Sequence, residues 1–442
     1  MKILNILLPT IAVAFLAFLA GSYVMFAEAG PSGFLSNAYK AGHALFDQQT
    51  NYRHPYFSRF YQKARTDQRG VTIYDPAKTE EGFTLYSSGH EQRIRLISMN
   101  GDVVHEWQVP FSTVWDDQAA VKNPVPDSHI YNRAAHLYPN GDMLAMYIAS
   151  GDTPWGYGLV KMNKDSEVIW TYLQQTHHDL DVGPDGRIYT LTHEIKNDVI
   201  EAWTQLVPPR IDDYIVVLSP EGKELKKVDV TKALINSPYG RMLTRIPWYA
   251  HNSGDYLHTN AVDVITKENA AVFPFGKEGD VLVSMRELAT GAIGVIDMEK
   301  DVFNWVTMGS WAGQHDPDIM ANGNILLFDN RGEFGPYGTA RVIEFDPKTD
   351  GIVWKYSGTK DHPLESVLRS VQQRLANGNT LITESDGGRI FEVTPEKEIV
   401  WEFVNPERGG ENDEFIPIIS AGERIDPKSL DPDFLESLSK SS

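Results

Sequence analysis

His315-Asp316-Pro317-Asp318-Ile319-Met320-Ala321-Asn322-Gly323-Asn324-Ile325-Leu326-Leu327 is the stretch from which the fold is most readily read. An Asn-Gly pair accepts the positive φ angles that a two-residue hairpin turn requires, and the aliphatic residues beyond it suit a strand. The same punctuation recurs along the chain. It is found at Gly82-Phe83-Thr84-Leu85-Tyr86, Asn140-Gly141-Asp142-Met143-Leu144, Asp185-Gly186-Arg187-Ile188-Tyr189, Gly279-Asp280-Val281-Leu282-Val283 and Asn377-Gly378-Asn379-Thr380-Leu381. A second half-unit ends on tryptophan, as in Val103-Val104-His105-Glu106-Trp107, Val168-Ile169-Trp170, Val302-Phe303-Asn304-Trp305, Ile352-Val353-Trp354 and Ile399-Val400-Trp401. The third unit keeps the layout in Leu218-Ser219-Pro220-Glu221-Gly222-Lys223-Glu224-Leu225 but lacks the tryptophan.

Trp107 and Trp170 stand 63 residues apart, Trp305 and Trp354 49, and Trp354 and Trp401 47. Those intervals suit a four-stranded blade with its loops. The expectation is therefore an all-β, six-bladed β-propeller over residues 71–405, preferred to an open sandwich or a β-solenoid. Residues 406–442 are read as a closing segment and tail, and residues 30–70, with only a weak helical period, as a partly helical neck.

Bulk properties narrow the function. A chain of 442 residues with 42% hydrophobic content has ample material for a core. Its formal net charge of −20 argues against a nucleic-acid partner, because polyanion binding draws its affinity from Lys and Arg. No cysteine is present, which excludes thiolate catalysis, disulfides and Cys-ligated zinc. From Ile3 to Ala27 no residue is charged, and the run is long enough to cross a bilayer. Residues 1–29 are accordingly expected to be a membrane anchor, or else a signal cleaved near Ala27-Glu28-Ala29, with residues 3–27 contacting the membrane. Either way the body of the protein is exported, in a bacterium to the periplasm.

The repeat register brings chemistry together. His178 and His315 each stand eight residues before a turn glycine, at Gly186 and Gly323, and His258 opens the corresponding stretch of the unit between them. If the units are alike in space, the three imidazoles converge at one mouth of the channel. Seven residues past the turn glycines Gly186, Gly279 and Gly323 stand His193, Arg286 and Asn330, which the hairpin returns to the same end. Arg133, eight before Gly141, adds a further cation. A single strand histidine is usually a hydrogen-bonded structural residue. Three at equivalent positions beside an arginine suit an anion pocket, and that arginine disfavours a zinc ion among those three, so no metal and no cofactor is expected.

These residues also carry a resemblance. Leu257-His258-Thr259-Asn260-Ala261-Val262, then Val281-Leu282-Val283-Ser284-Met285-Arg286, then Gln314-His315-Asp316 before Asn322-Gly323, is similar to the bacterial arylsulfate sulfotransferases. Gln373-Arg374-Leu375-Ala376-Asn377-Gly378 with Gly388-Arg389-Ile390-Phe391 resembles the last blade of the same group. The resemblance implies a periplasmic six-bladed propeller that moves a sulfuryl group from an aryl sulfate to a phenol through a sulfated histidine. Carried over, His258 would be the nucleophile, with Thr259 and Asn260 orienting it or the sulfuryl oxygens. Arg286 and His178 would bind those oxygens, and His315 would move the proton. His178 is preferred to His177 because it shares the His-Asp register of His315-Asp316. This chain departs from the family in having too little sequence before its first blade for an N-terminal β-sandwich, in lacking any disulfide, and in offering no placeable substrate-flanking tyrosines. A noncatalytic propeller scaffolding a cell-envelope complex is the alternative; a quinone-dependent dehydrogenase fits poorly without a calcium-carboxylate cluster.

Overall fold

The computed structural model describes residues 2–27, 30, 32, 59–149, 155–246 and 254–439. The chain divides into two compact units. The first contains a helix, Lys2–Phe26, whose Pro9–Phe26 stretch is long and apolar enough to cross a membrane by length and composition. The second begins at Arg59. Most of the expected neck lies outside the described residues; within it, Tyr61–Lys63 is a strand paired with Phe415–Pro417.

The second unit is a six-bladed propeller of antiparallel sheets. Blade 2 is formed by Ile130–Leu137, Met143–Ala149, Gly156–Met162 and Val168–Tyr172. Blade 3 comprises Thr176–Val182, Ile188–Lys196, Arg210–Leu218 and Glu224–Asp229. Blades 4 and 5 start at the inner strands Thr259–Val264 and His315–Ile319. Blade 6 runs from Val371–Arg374 outward to Ile399–Val404, and Gly70–Tyr74 adds a fifth strand at its rim. Blade 1 takes its inner strand from the far end of the chain: Ile419–Ile425 pairs with Phe83–Ser88. Strands of the ring thus extend past residue 405, and both chain ends of the propeller are tied into its closure.

Four of the five repeated tryptophans latch neighbouring blades. The indole N–H of Trp107 on blade 1 donates to Gly141 O in blade 2 at 3.0 Å, and Trp170 on blade 2 to Pro220 O in blade 3 at 3.1 Å. Trp354 donates to Pro395 O at 3.0 Å, and Trp401 on blade 6 returns to Met99 O in blade 1 at 2.9 Å. A large apolar ring fills the wedge between sheets while its one donor finds a turn carbonyl, which suits tryptophan to this recurring place. Gly323, at φ +82°, shows why the turns carry glycine, since a Cβ there would meet Val272 O at 2.5 Å.

At the axis the inner strands have an edge without a strand partner, and aspartates cover part of it. Asp179 and Asp181 of blade 3 accept the N–H of Val262 and Val264 of blade 4 at 2.9 and 2.8 Å, and Asp316 of blade 5 accepts that of Gln372 of blade 6 at 3.0 Å. The His-Asp repeat noted in the sequence therefore has a structural half: the aspartate satisfies backbone donors of the next blade.

Candidate active site

Regular pairing is interrupted on the inner strands as well as on outer ones. Register shifts fall between Asn132 and Ala135, between His177 and Leu180, between Thr259 and Ala261, and between His315 and Asp318. At three of these bulges a non-glycine residue adopts a left-handed backbone: His178 at φ +62°, His258 at +50° and Asp316 at +54°. A bulge bends its strand and re-aims a side chain, and such backbone is costly unless the surroundings enforce it. The candidate residues sit on or beside these breaks in four successive blades.

The bulges gather His178, Asn260, His315 and Arg133 on the wall of a cavity of about 800 Å³. Inner strands of all six blades line it, so it is the central channel. His258 meets His178 there, with the two Nε2 atoms 3.1 Å apart. On its other side the His258 Nδ1–H donates to the Asp255 carboxylate. Burial works to raise the Asp255 pKa, but His258, Arg286 and His177 outweigh it and hold the carboxyl below its ordinary value. An ionised acceptor at Nδ1 leaves the lone pair of a neutral His258 at Nε2. Trp155 stacks on the His258 ring with centroids 5.5 Å apart.

Arg286 arrives as the hairpin register predicts, its backbone N–H donating to His258 O at 3.2 Å. His315 is oriented from behind. Asn330 uses its Nδ2 on Ser366 O and Arg369 O, at 2.7 and 2.9 Å, so its Oδ1 faces His315 Nδ1 at 2.7 Å. Gly313 O lies 3.1 Å from the same nitrogen. Two acceptors at Nδ1 fix the proton there and leave Nε2 as the basic atom. Burial, then Arg286 and Arg133, push the His315 pKa well below the ordinary histidine value. His178 is depressed likewise, by burial first and then by His258, His177 and the two arginines.

A family model described as arylsulfotransferase (ASST) matches residues 134–406, more than half of the chain. The chain belongs to the arylsulfotransferase family. No curated protein matches it. Among solved structures, the chain is similar to a Bacteroides caccae protein of unknown function at 13% identity, covering 77% of this chain and 99% of that one, with a TM-score of 0.48. It is also similar to a virginiamycin B lyase from Staphylococcus aureus, at 12% identity, 82% and 98% coverage and a TM-score of 0.39.

Thr259, His193 and Asn330 are placed one layer behind the channel wall. Thr259 is fully buried, its N–H donating to Asp213 at 2.7 Å. His193 stacks on His177 with centroids 4.5 Å apart. Asn260 donates through Nδ2 to Gln314 O at 2.8 Å. Arg133 anchors on Ser420 O at 2.7 Å. Four neighbours of the candidate residues were not singled out from the sequence. Asp255 and Trp155 lie in irregular segments that no repeat register reaches. His177 was passed over for its neighbour, although its Nδ1 lies 2.7 Å from His178 Nδ1. Arg369, at φ +62°, reaches the Tyr131 hydroxyl at 3.2 Å and has a buried Nη1 without a hydrogen-bond partner among the described residues.

The channel is also acidic. Burial and the neighbouring Asp316 and Asp181 push Glu423 up to about 7, and burial with Asp316 pushes Asp179 up to about 8. Glu423 faces the water space of the channel while protein surrounds it on all sides. A carboxyl raised in this way leaves stability intact below its unfolded value of about 4.3 and removes it as pH rises through the native one. Glu423→Gln is expected to raise the melting temperature relative to wild type by more at about pH 8 than at about pH 5. Equal differences at the two pH values, read by differential scanning calorimetry, would show that Glu423 does not titrate in this window.

Proposed function

We propose that this protein is a membrane-anchored periplasmic sulfotransferase that moves a sulfuryl group from an aryl sulfate to a phenol or other hydroxyl acceptor by a two-step mechanism. The observation that carries the reading is the pair of contacts on His258, with Asp255 holding Nδ1–H and Nε2 turned toward the channel residue His178. The family match supports the reaction class. The apolar helix Lys2–Phe26 supports an anchor that leaves the propeller on the far side of the membrane.

In the first half-reaction the His258 Nε2 lone pair attacks sulfur, and the bond from sulfur to the aryl oxygen breaks. Arg286 offsets negative charge on the sulfuryl oxygens, as cationic clamps do in phosphoryl transfer, and His178 turns its Nε2–H from His258 to one of those oxygens. Binding of the anionic donor opposes the effect of the two arginines on His315, so its Nε2 takes up a proton and delivers it to the leaving phenolate. In the second half-reaction the acceptor hydroxyl gives its proton to His315 Nε2 while its oxygen attacks sulfur, and the sulfur–nitrogen bond breaks to restore His258. Donor and acceptor use one pocket in turn, and the same histidine serves as acid and then as base. Asn330 positions His315, and Asn260 and Arg133 complete the wall that meets the substrate.

Turnover of a chromogenic aryl sulfate by the full-length protein in detergent tests the reaction. Phenol release that accelerates on adding a phenolic acceptor, with the acceptor recovered as its sulfate, is the expected result. Release of no phenol would leave a noncatalytic scaffold, and release indifferent to acceptor would indicate a hydrolase. Arg286→Ala is expected to lower kcat/KM by about 10²–10³-fold, the scale on which loss of one preorganised charge-stabilising group is felt. A rise in KM with kcat unchanged would assign Arg286 to binding only.

A further inference from the structure

Behind the channel wall of blade 3 stands a second cluster that the transfer chemistry does not use. His193 and Asp213 are directly paired across adjacent strands, and His177 reaches them from the inner strand. All three are nearly inaccessible, at 1%, 3% and 1% exposure for His193, Asp213 and His177. One donor atom from each falls within 4.8 Å of the others. Among the described residues, neither ring nitrogen of His193 has a hydrogen-bond partner, nor does His177 Nε2. Three bare imidazole nitrogens in the interior are expensive unless something satisfies them.

The hydrogen-bond chain narrows what that is. Asp213 spends one oxygen on the Thr259 N–H, and its other oxygen lies 3.5 Å from His177 Nε2. His177 Nδ1 and His178 Nδ1 share one proton at 2.7 Å. If His178 presents Nε2–H to the lone pair of His258, the shared proton belongs to His177, and a neutral His177 then points its Nε2 lone pair at a carboxylate oxygen. Two electron-rich atoms face each other across a gap that calls for a positive centre. Tetrahedral zinc with bonds of about 2.0–2.1 Å sets its donor atoms about 3.3–3.4 Å apart, close to this gap.

We propose that His177 Nε2, one ring nitrogen of His193 and the free oxygen of Asp213 bind a divalent cation of the zinc class, with a water completing four-fold coordination. Two histidines and one carboxylate are a donor set suited to zinc. Held on paired strands, the ligands need little reorganisation, and Asp213 is itself oriented by the Thr259 N–H, as metal-bound carboxylates commonly are. The ion is a positioning element. Coordination of His177 Nε2 commits its proton to Nδ1, and through it commits His178 to the tautomer that offers Nε2–H toward His258. The assignment rests on this cluster and, for the tautomer step alone, on the transferase reading.

Metal counting separates the two. Full-length protein loaded with Zn²⁺, freed of excess by gel filtration and measured by inductively coupled plasma mass spectrometry, should carry one zinc per chain. Asp213→Asn and His193→Ala should lose it, while His258→Ala should retain it. Reloading the chelated protein with Co²⁺ should give the intense visible bands of a tetrahedral site. Wild-type protein that is folded by circular dichroism yet retains no zinc would overturn the assignment and leave a protonated His177 facing Asp213. Zinc retained by both ligand variants would overturn it too. Neither outcome touches the sulfuryl-transfer assay, and loss of transfer in His258→Ala with zinc intact leaves the metal assignment standing.

Discussion

His258→Ala is expected to lower kcat/KM for an aryl sulfate by about 10⁴-fold or more, the scale on which loss of a catalytic nucleophile is felt. The effect should be of that size because no neighbouring group can take its place. His178 is held on the far side of the same contact, its Nε2 3.1 Å from that of His258, and burial and its cationic neighbours leave it a weaker base. His315 uses Nδ1 on Asn330 and Gly313 and lines the channel, where the proposed mechanism gives it the proton and not the sulfur. The fold should survive the change, because alanine keeps the Cβ and so leaves the left-handed backbone at φ +50° as it was, while one buried polar ring is removed. Steady-state kinetics beside a melting curve would check both statements. A variant that keeps a tenth or more of wild-type turnover would transfer the nucleophile's role to another residue.

Asp255→Asn is expected to be nearly as damaging, on the order of 10³–10⁴-fold in kcat, by analogy with the aspartate that fixes the histidine tautomer in a serine-protease triad. The Asp255 carboxylate accepts the His258 Nδ1–H and so places the lone pair at Nε2. A carboxamide of the same shape can instead donate to Nδ1, which moves the ring proton to Nε2 and removes the nucleophile. ¹⁵N shifts of the His258 ring should report that exchange of tautomers directly. Loss of turnover with unchanged ring shifts would mean that Asp255 acts through packing alone.

Much of the fold was legible because its units are short and punctuated. Asn322-Gly323 and its equivalents announce hairpins, and Trp107, Trp170, Trp354 and Trp401 recur because each latches onto the next blade. The strand that completes blade 1 was not legible as such. Ile419–Ile425 carries no turn signature linking it to Phe83, and its partner lies more than 300 residues away. In the site, counting from turn glycines placed Arg286 beside His258 because hairpin pairing is a local rule. Counting could not reveal the bulges, since His178, His258 and Asp316 take positive φ without the glycine that usually marks it. Nor could it find Asp255 or Trp155, which reach the site from irregular segments. Asn330 was found by register and its part was not, because only the carbonyls of Ser366 and Arg369 show which way its amide points.

The central claim is a covalent one, and it is tested most directly by trapping. The protein is mixed with an aryl sulfate in the absence of acceptor, quenched within a single turnover, and examined by intact mass and peptide mapping. One SO₃ per chain on the peptide containing His258, lost on adding a phenol and absent from His258→Ala, is the predicted result. Stoichiometric phenol release with no adduct, or an adduct that persists in His258→Ala, would contradict it.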